Sequence, residues 1–537
     1  MTTQAVHLPP ALPLPPGPIP PAGWMLRELY RLRVVADPGR EALRFSGHTV
    51  THGDLLPQID RWQELVAAAA ARCDCSDPDL IWAIHGGDTI DNLLLGLSQV
   101  FSGRALLLLP LHATEAERAT LVRRAGVGVV LSDRPLSPSM GLHRQTTVAQ
   151  GWEIWTPLAG PARAAAGSPE PARNAPDRLL SQADVAQEAR VRLERAAGLA
   201  LSSGTTTGVP AIQRSSFLEW LAMQQHPEWP PSRRMLMSFR LQFGASRAWA
   251  SRILLEGATL CCVRVSERQD LPELAGLLEA DTLSVNPPYI ETMLAERLER
   301  RFPASLAFVT GTDRVPGGLR RRFHGRFGAR LTIALANSRL GPLTLLPANQ
   351  LLAHDGESVG VPLANVRFHF DPEAAPDWQA LGIGEVVVAK TWRVRLLHPE
   401  HGPIDLEHTV EDSRPGDLLR QWPDGLLSFV GRANDVFLFR SVLISPQEIE
   451  DVLAEDPAVL EVVAFGAPSS VYGAVPMAAL RLRPDRDAVQ ELPRLRRLCQ
   501  DAMGYRAPKA LIPVEEIPRG ASGKPLRREL ARRHALA

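Results

Sequence analysis

Four stretches of this chain carry side chains whose types and spacing could do chemistry. The first is Ser202-Ser203-Gly204-Thr205-Thr206-Thr207-Gly208-Val209-Pro210, directly after an apolar run from Gly198 to Leu201. Glycines let backbone amides approach a ligand closely, and hydroxyls together with N–H groups can wrap polyphosphate oxygens. On composition alone the same residues also suit an ordinary polar turn. The second is Arg414-Pro415-Gly416-Asp417, followed by a segment from Asp424 to Phe437 that contains Arg432. A carboxylate such as Asp417 can accept two hydroxyl hydrogen bonds, which a neutral side chain imitates poorly; two unrelated turns are the bland alternative. The third is Pro518-Arg519-Gly520-Ala521-Ser522-Gly523-Lys524-Pro525-Leu526-Arg527, which sets one lysine on a glycine-flanked loop. Such a cation can meet negative charge that develops during a reaction, although a basic tail is more often solvated surface. The fourth runs from Leu335 through Ser338 and Arg339 to Thr344.

The elements that would hold these stretches alternate as in an α/β protein. LIWAIHGG (Leu80 to Gly87), RALLLLP (Arg104 to Pro110) and GVGVVLSD (Gly126 to Asp133) are continuous apolar runs, as expected of parallel strands covered on both faces. LAFVTG (Leu306 to Gly311), GGLRRRFHGRFG and LTIALAN repeat the order strand, helix, strand, and the arginine run is expected to be a solvated helix face. From Glu357 to about Phe429 short strands and turns predict a β-rich lobe. After Gly431, ISPQEIEDVLAE predicts a helix that opens on proline, and EVVAFGAP and AALRLRP predict strands. Ala159 to Pro176 is expected to be an exposed connector, and the proline-dense stretch from Leu8 to Pro21 a flexible or extended arm.

With 537 residues the chain exceeds what one hydrophobic core supports. Its 45% hydrophobic and 22% charged residues fit an ordinary globular protein. Lys plus Arg and Asp plus Glu each number 59, so no global field directs the chain to nucleic acid or to an anionic membrane. The five cysteines are odd in number and lack CxxC spacing, which argues against a disulfide framework or a zinc site and for a reducing cytoplasm. No apolar run has the length of a membrane helix, and the N-terminus lacks a basic segment followed by an apolar one.

Taken in order, the four stretches resemble the motifs of the class I adenylate-forming enzymes, the superfamily of acyl- and aryl-CoA synthetases, peptide-synthetase adenylation domains and luciferases. The first is similar to Ser-Gly-Thr-Thr-Gly-x-Pro-Lys, with one extra threonine and with Ala211 in place of the lysine; Arg214 lies close enough in sequence to be a substitute cation. The second is similar to Thr-Gly-Asp followed by a Gly-Arg-x-Asp hinge, with Asn434 at an acidic position and Ser441 where a glycine often sits. The third matches Pro-Arg-x-x-x-Gly-Lys-x-x-Arg at every fixed position. The fourth aligns with Tyr-Gly-x-Thr-Glu, but Leu335 replaces the adenine-stacking aromatic and Arg339 the magnesium-holding carboxylate.

The resemblance implies a large N-terminal body of two α/β lobes and a β-rich lobe (residues 24–432), a proline-rich arm (1–23) and a small mobile α+β C-terminal domain (433–537). It implies ATP and Mg2+ as cofactors and Lys524 as the catalytic cation. It assigns Ser203, Gly204, Thr205, Thr206, Thr207, Gly208, Ser338, Arg339, Asp417 and Arg432 to the nucleotide, Phe243, Gly244 and Gly311 to the acid, and no residue as a metal ligand. Amino-acid-activating members have Phe-Asp-x-Ser at the head of the acid pocket, where this chain has Phe243-Gly244-Ala245-Ser246. A buried ammonium without its carboxylate is costly, so an aryl or fatty acid is favoured over an α-amino acid. The resemblance implies a thiol acceptor, of CoA or of a carrier protein's phosphopantetheine, and no residue decides between them. A binding-only pseudoenzyme and an enzyme with a non-thiol acceptor remain open. A plain structural α/β protein would have to produce the motifs in family order by chance.

Overall fold

A computed structural model describes the chain apart from residues 1–10, 46–47, 88, 112, 159–180, 202–211, 226–230, 239–243, 264–269, 312, 338, 371–381, 441, 520–524 and 537. Its described strands fall into two seven-stranded sheets, an eight-stranded sheet, a two-stranded hairpin and a five-stranded C-terminal sheet. The apolar runs are strands: Ile81–His85 and Val127–Ser132 are buried along their whole length, and Leu106–Leu108 lies parallel beside Ile81–His85. Helices on both faces leave such strands no solvated side, which is why their sequences do not alternate.

The second sheet has six parallel strands and one antiparallel edge strand. Ala307–Thr310 pairs in parallel with Thr282–Ser284 on one side and Leu331–Ile333 on the other, and the helix Gly317–Phe327 makes the crossover. The C-terminal ends of parallel strands in such a sheet form a crevice suited to ligands. Gly311 and Leu335 both emerge there.

In the helix Gly317–Phe327 one arginine departs from the expected solvated face. Arg320 is buried and donates to the carbonyls of Val315 and Ser358, while its neighbours Arg321 and Arg322 are exposed. The periodicity of the helix turns position 320 inward, and two carbonyls replace the water it gives up. Burial, and then the adjacent Arg314, push its guanidinium down from the ordinary value.

The proline-rich arm is docked rather than free where it is described. Leu12–Pro13 adds a parallel strand beside Leu396 and Leu397, and the N–H of Leu14 donates to the Leu397 carbonyl at 2.9 Å. Leu12, Leu14 and Ile19 are buried, and His398 Nε2 donates to the carbonyl of Gly17 at 3.0 Å. An extended proline-rich backbone already has strand-like geometry, so its apolar side chains can pin it to a sheet edge with few hydrogen bonds.

Ile383–His398 is the long central strand of the antiparallel β-rich lobe, paired with Gly402–Ser413, Val366–Phe370 and Asp417–Gln421. Residues 439–530 build their own apolar cluster on the five-stranded sheet. The helix Pro446–Ala454 opens this part, with proline in its first turn as the sequence predicts. It meets the body through Arg314, which donates to both oxygens of Asp451 at 2.6 and 2.7 Å and to Glu357 at 2.8 Å. Arg321 adds a bond to Glu455 at 2.6 Å. A Cβ at Gly318 would stand 2.3 Å from Glu455 Oε1, so a larger residue there would make the Glu455 side chain shift.

Candidate nucleotide and acid site

Asp417 and Arg432, which come from two separate motifs, face each other. Asp417–Gln421 runs antiparallel to Leu427–Arg432 with Asp417 opposite Arg432, and Arg432 Nη1 lies 3.0 Å from Asp417 Oδ1. The same Nη1 donates to the Pro415 carbonyl at 2.8 Å, which closes the Arg414–Asp417 turn onto the strand pair. Gly416, at φ 73°, takes the left-handed conformation this turn needs. The side chain of Asp417 is 4% exposed and that of Arg432 45% exposed, so the carboxylate is recessed beneath an open guanidinium.

The candidate phosphate-loop residues Ser203, Gly204, Thr205, Thr206, Thr207 and Gly208, and with them Ala211, lie outside the described residues, as do Phe243, Ser338 and Lys524. The strands on either side of the loop are described: Ala196–Leu201 and Ile212–Ser216 are antiparallel neighbours with Leu201 opposite Ile212. Arg214, the suggested substitute cation, is exposed on the second of them. Gly244 begins the helix Gly244–Leu255, and Gly311 follows the buried Thr310 at the end of its strand.

The fourth stretch forms a tight hairpin, Ala336–Asn337 against Gly341–Pro342. Asn337 Oδ1 accepts from the backbone N–H groups of Arg339 at 2.8 Å and Leu340 at 3.2 Å. Gly341, at φ 70°, supplies the left-handed position of the turn. Leu335 packs against the core.

Arg339 is not an isolated cation. Its Nη1 and Nη2 donate to Glu219 Oε2 and Oε1, each at 2.8 Å. Glu219 lies in the helix Phe217–Gln225 and is 2% exposed. Its backbone N–H donates to Ser216 Oγ and its Oε2 accepts from the Ser216 N–H, both at 3.2 Å, a reciprocal cap at the helix start. His408 Nε2 stands 3.4 Å from Oε1. Burial alone would raise the Glu219 carboxyl, but hydrogen bonds from His408 and Arg339 and the charge of Arg339 hold it below its ordinary value.

Beneath the hairpin sits Lys390, which is fully buried. Its Nζ donates to the carbonyls of Leu340 at 2.9 Å and Pro342 at 2.8 Å and lies 5.5 Å from the centre of the Trp392 ring. Sequence reasoning missed Glu219, His408 and Lys390. The Ser216-x-x-Glu219 spacing is a capping signal that could have drawn attention to Glu219, but nothing local points to its partner 120 positions away.

Residues 448–524 match the AMP-binding enzyme C-terminal domain family. The 2-succinylbenzoate–CoA ligase of Listeria monocytogenes is 33% identical over 167 residues, which cover 29% of this chain and 35% of that relative. The sulfoacetate–CoA ligase of Cupriavidus necator is 33% identical over 163 residues, 30% of this chain and 31% of the relative. The matched stretch thus spans about a third of the length of these relatives. Among solved structures, the o-succinylbenzoate CoA synthetase of Bacillus subtilis in complex with its acyl-adenylate intermediate superposes with a TM-score of 0.69 at 19% identity, covering 94% of this chain and 97% of that one. The amide bond synthetase McbA of Marinactinospora thermotolerans superposes with a TM-score of 0.67 at 19% identity, covering 96% and 99%. The fold is that of an adenylate-forming enzyme, a large mixed α/β body followed by a small C-terminal domain. Residues 448–524 are thus similar to the C-terminal domain of AMP-binding enzymes, and the chain as a whole shares the fold of the adenylate-forming structures.

Proposed function

We propose that the protein activates a carboxylic acid with ATP, forming an acyl-adenylate and pyrophosphate, and then passes the acyl group to a thiol. The observation that supports this reading is the Asp417–Arg432 pair, set opposite each other on adjacent strands, in motifs that resemble those with which the superfamily grips the ribose. A recessed carboxylate can accept both ribose hydroxyls. Lys524, the last residue of the matched C-terminal segment, would meet the charge that develops between the carboxylate and the α-phosphate.

CoA is the acceptor we favour, because the relatives reported above are named as CoA ligases. A carrier protein's phosphopantetheine is the alternative thiol. The substrate class is an aryl or fatty acid, because Gly244 offers no carboxylate to an α-ammonium. The synthetase of Bacillus subtilis has been solved with ATP and a magnesium ion, and in this chain Mg2+ would neutralise phosphate charge when bound. Glu219, the described carboxylate beside Arg339, fits poorly as its ligand, since Arg339, His408 and the Ser216 N–H already occupy its oxygens. The ion would be held by phosphate oxygens and water, an arrangement magnesium accepts readily. The reading includes a mobile domain at residues 433–537 and a cytoplasmic location; no described helix is long and apolar enough to cross a membrane.

The test is Lys524→Ala. Acid-dependent pyrophosphate release should be abolished while ATP binding and the melting temperature stay close to wild type, because the charge acts mainly in the transition state. Unchanged release would remove Lys524, and with it the assigned chemistry.

A further inference from the structure

The superfamily resemblance makes position 339 a damaged one, an arginine where a carboxylate is expected. The surroundings of that arginine are nevertheless built with care. Glu219 has two oxygens and about four lone-pair sites. Two are taken by Arg339, one by the Ser216 N–H, and His408 Nε2 lies within 3.4 Å of Oε1. A carboxylate so occupied, 2% exposed and held ionised, has a structural task rather than a metal to bind.

Arg339 is in the opposite situation. A guanidinium carries five N–H donors, and an end-on pairing through Nη1 and Nη2 engages one on each nitrogen. The remaining N–H directions point away from Glu219, and the side chain is 26% exposed. Its backbone is fixed as well, by Asn337 above and, through the Leu340 and Pro342 carbonyls, by Lys390 below. The result is a cation whose position is determined from three sides and whose side chain is still partly exposed. The helix that bears Glu219 follows directly on the strand Ile212–Ser216, which continues from the Ser/Thr/Gly loop.

We propose that Glu219 is a positioning residue for an anion-binding arginine: it grips the inner edge of Arg339 so that the outer N–H groups face the phosphate chain of bound ATP. The inference rests on the adenylation reading for the identity of the anion. It reassigns Arg339 from a lesion to one half of a relocated charge pair, in which the carboxylate the motif lacks stands on another helix and orients the arginine instead of the metal. His408 completes the grip by sharing Oε1.

The test is a double-mutant cycle on the full chain, read as the dissociation constant of ATP with Mg2+ by titration calorimetry, with melting temperatures taken in parallel. Hydrogen bonds to charged groups are worth enough that Arg339→Gln should weaken ATP by about tenfold or more. Glu219→Gln should weaken it by a smaller factor, and Glu219→Gln combined with Arg339→Gln should be no weaker than Arg339→Gln alone, because Glu219 acts only through the arginine. A purely structural Glu219 would lower the melting temperature in both backgrounds and give additive losses. If Glu219→Gln fails to fold, Glu219→Asp keeps the charge and should retain most of the affinity, while Arg339→Gln still reads the anion contact by itself. Additive losses, or wild-type affinity in Arg339→Gln, would overturn the proposal. Failure of the adenylation reading appears separately: ATP would bind and the cycle would be non-additive, yet no acid would promote pyrophosphate release.

Discussion

Lys390→Met is the perturbation whose consequence can be worked furthest from the geometry. The side chains have similar length, so the substitution removes charge and donors with little change in volume. Lys390 is fully buried and donates to the Leu340 and Pro342 carbonyls at 2.9 and 2.8 Å. Each such charge-assisted bond contributes about 1.5–3 kcal/mol, and each carbonyl left without a donor is itself destabilising. Against this stands the relief of no longer burying an ammonium, several kcal/mol in a real protein. The two nearly offset in the gross sum, and the orphaned carbonyls tip the balance to a net loss of roughly 2–4 kcal/mol. Equilibrium urea unfolding, followed by tryptophan fluorescence, would measure it. Trp392 lies 5.5 Å from the ammonium, so its emission should change even before unfolding begins. Because the site is shielded, 1 M salt should leave the difference nearly intact. In the same variant the hairpin that carries Arg339 loosens, so the KM for ATP should rise more than kcat falls. A Lys390→Met protein as stable as wild type, with unchanged ATP saturation, would refute the argument that this lysine holds the turn.

Three further outcomes are expected. Asp417→Ala should raise the KM for ATP with a smaller effect on kcat, since ribose contacts exist in ground and transition states alike; a fall in kcat at unchanged KM would contradict the ribose role. Arg314→Ala removes the bonds to Asp451 and Glu357, so limited proteolysis near residues 433–445 should accelerate, and unchanged cleavage would show that this contact does not hold the C-terminal part. His52 and His85 are pushed down to about 4, chiefly by burial. Unfolded, they would take up protons below about 6.5, so the chain should lose stability as pH falls from there and the loss should level off near 4. Urea midpoints in His85→Gln should show a shallower decline over that window, and an identical slope would remove His85 from the effect.

The strands at Ile81–His85 and Val127–Ser132 were legible because parallel strands buried on both faces must be apolar throughout. The helix Pro446–Ala454 was legible because proline and an acidic first turn are local signals of a helix start. Asp417 and Arg432 were legible as a pair only because two motifs fell in order; the strand register then set them face to face. What stayed hidden depends on partners distant in sequence. Arg320 reads as one of a run of surface arginines until the Val315 and Ser358 carbonyls are seen to receive it. The arm reads as free until the edge at Leu396 and Leu397 is in place to take it up. Arg339 reads as a lone substitution until Glu219 arrives from another helix, and no local pattern announces that meeting.

The measurement that bears most directly on the central claim is exchange of labelled pyrophosphate into ATP by the purified full chain, run across a panel of aryl acids, fatty acids and α-amino acids. Exchange should depend on an added acid, be fastest with an aryl or fatty acid, and be slow or absent with the amino acids. Absence of exchange with every acid while ATP still binds would contradict it and leave a nucleotide-binding protein without adenylation chemistry; fastest exchange with an ordinary amino acid would contradict the substrate class drawn from Gly244.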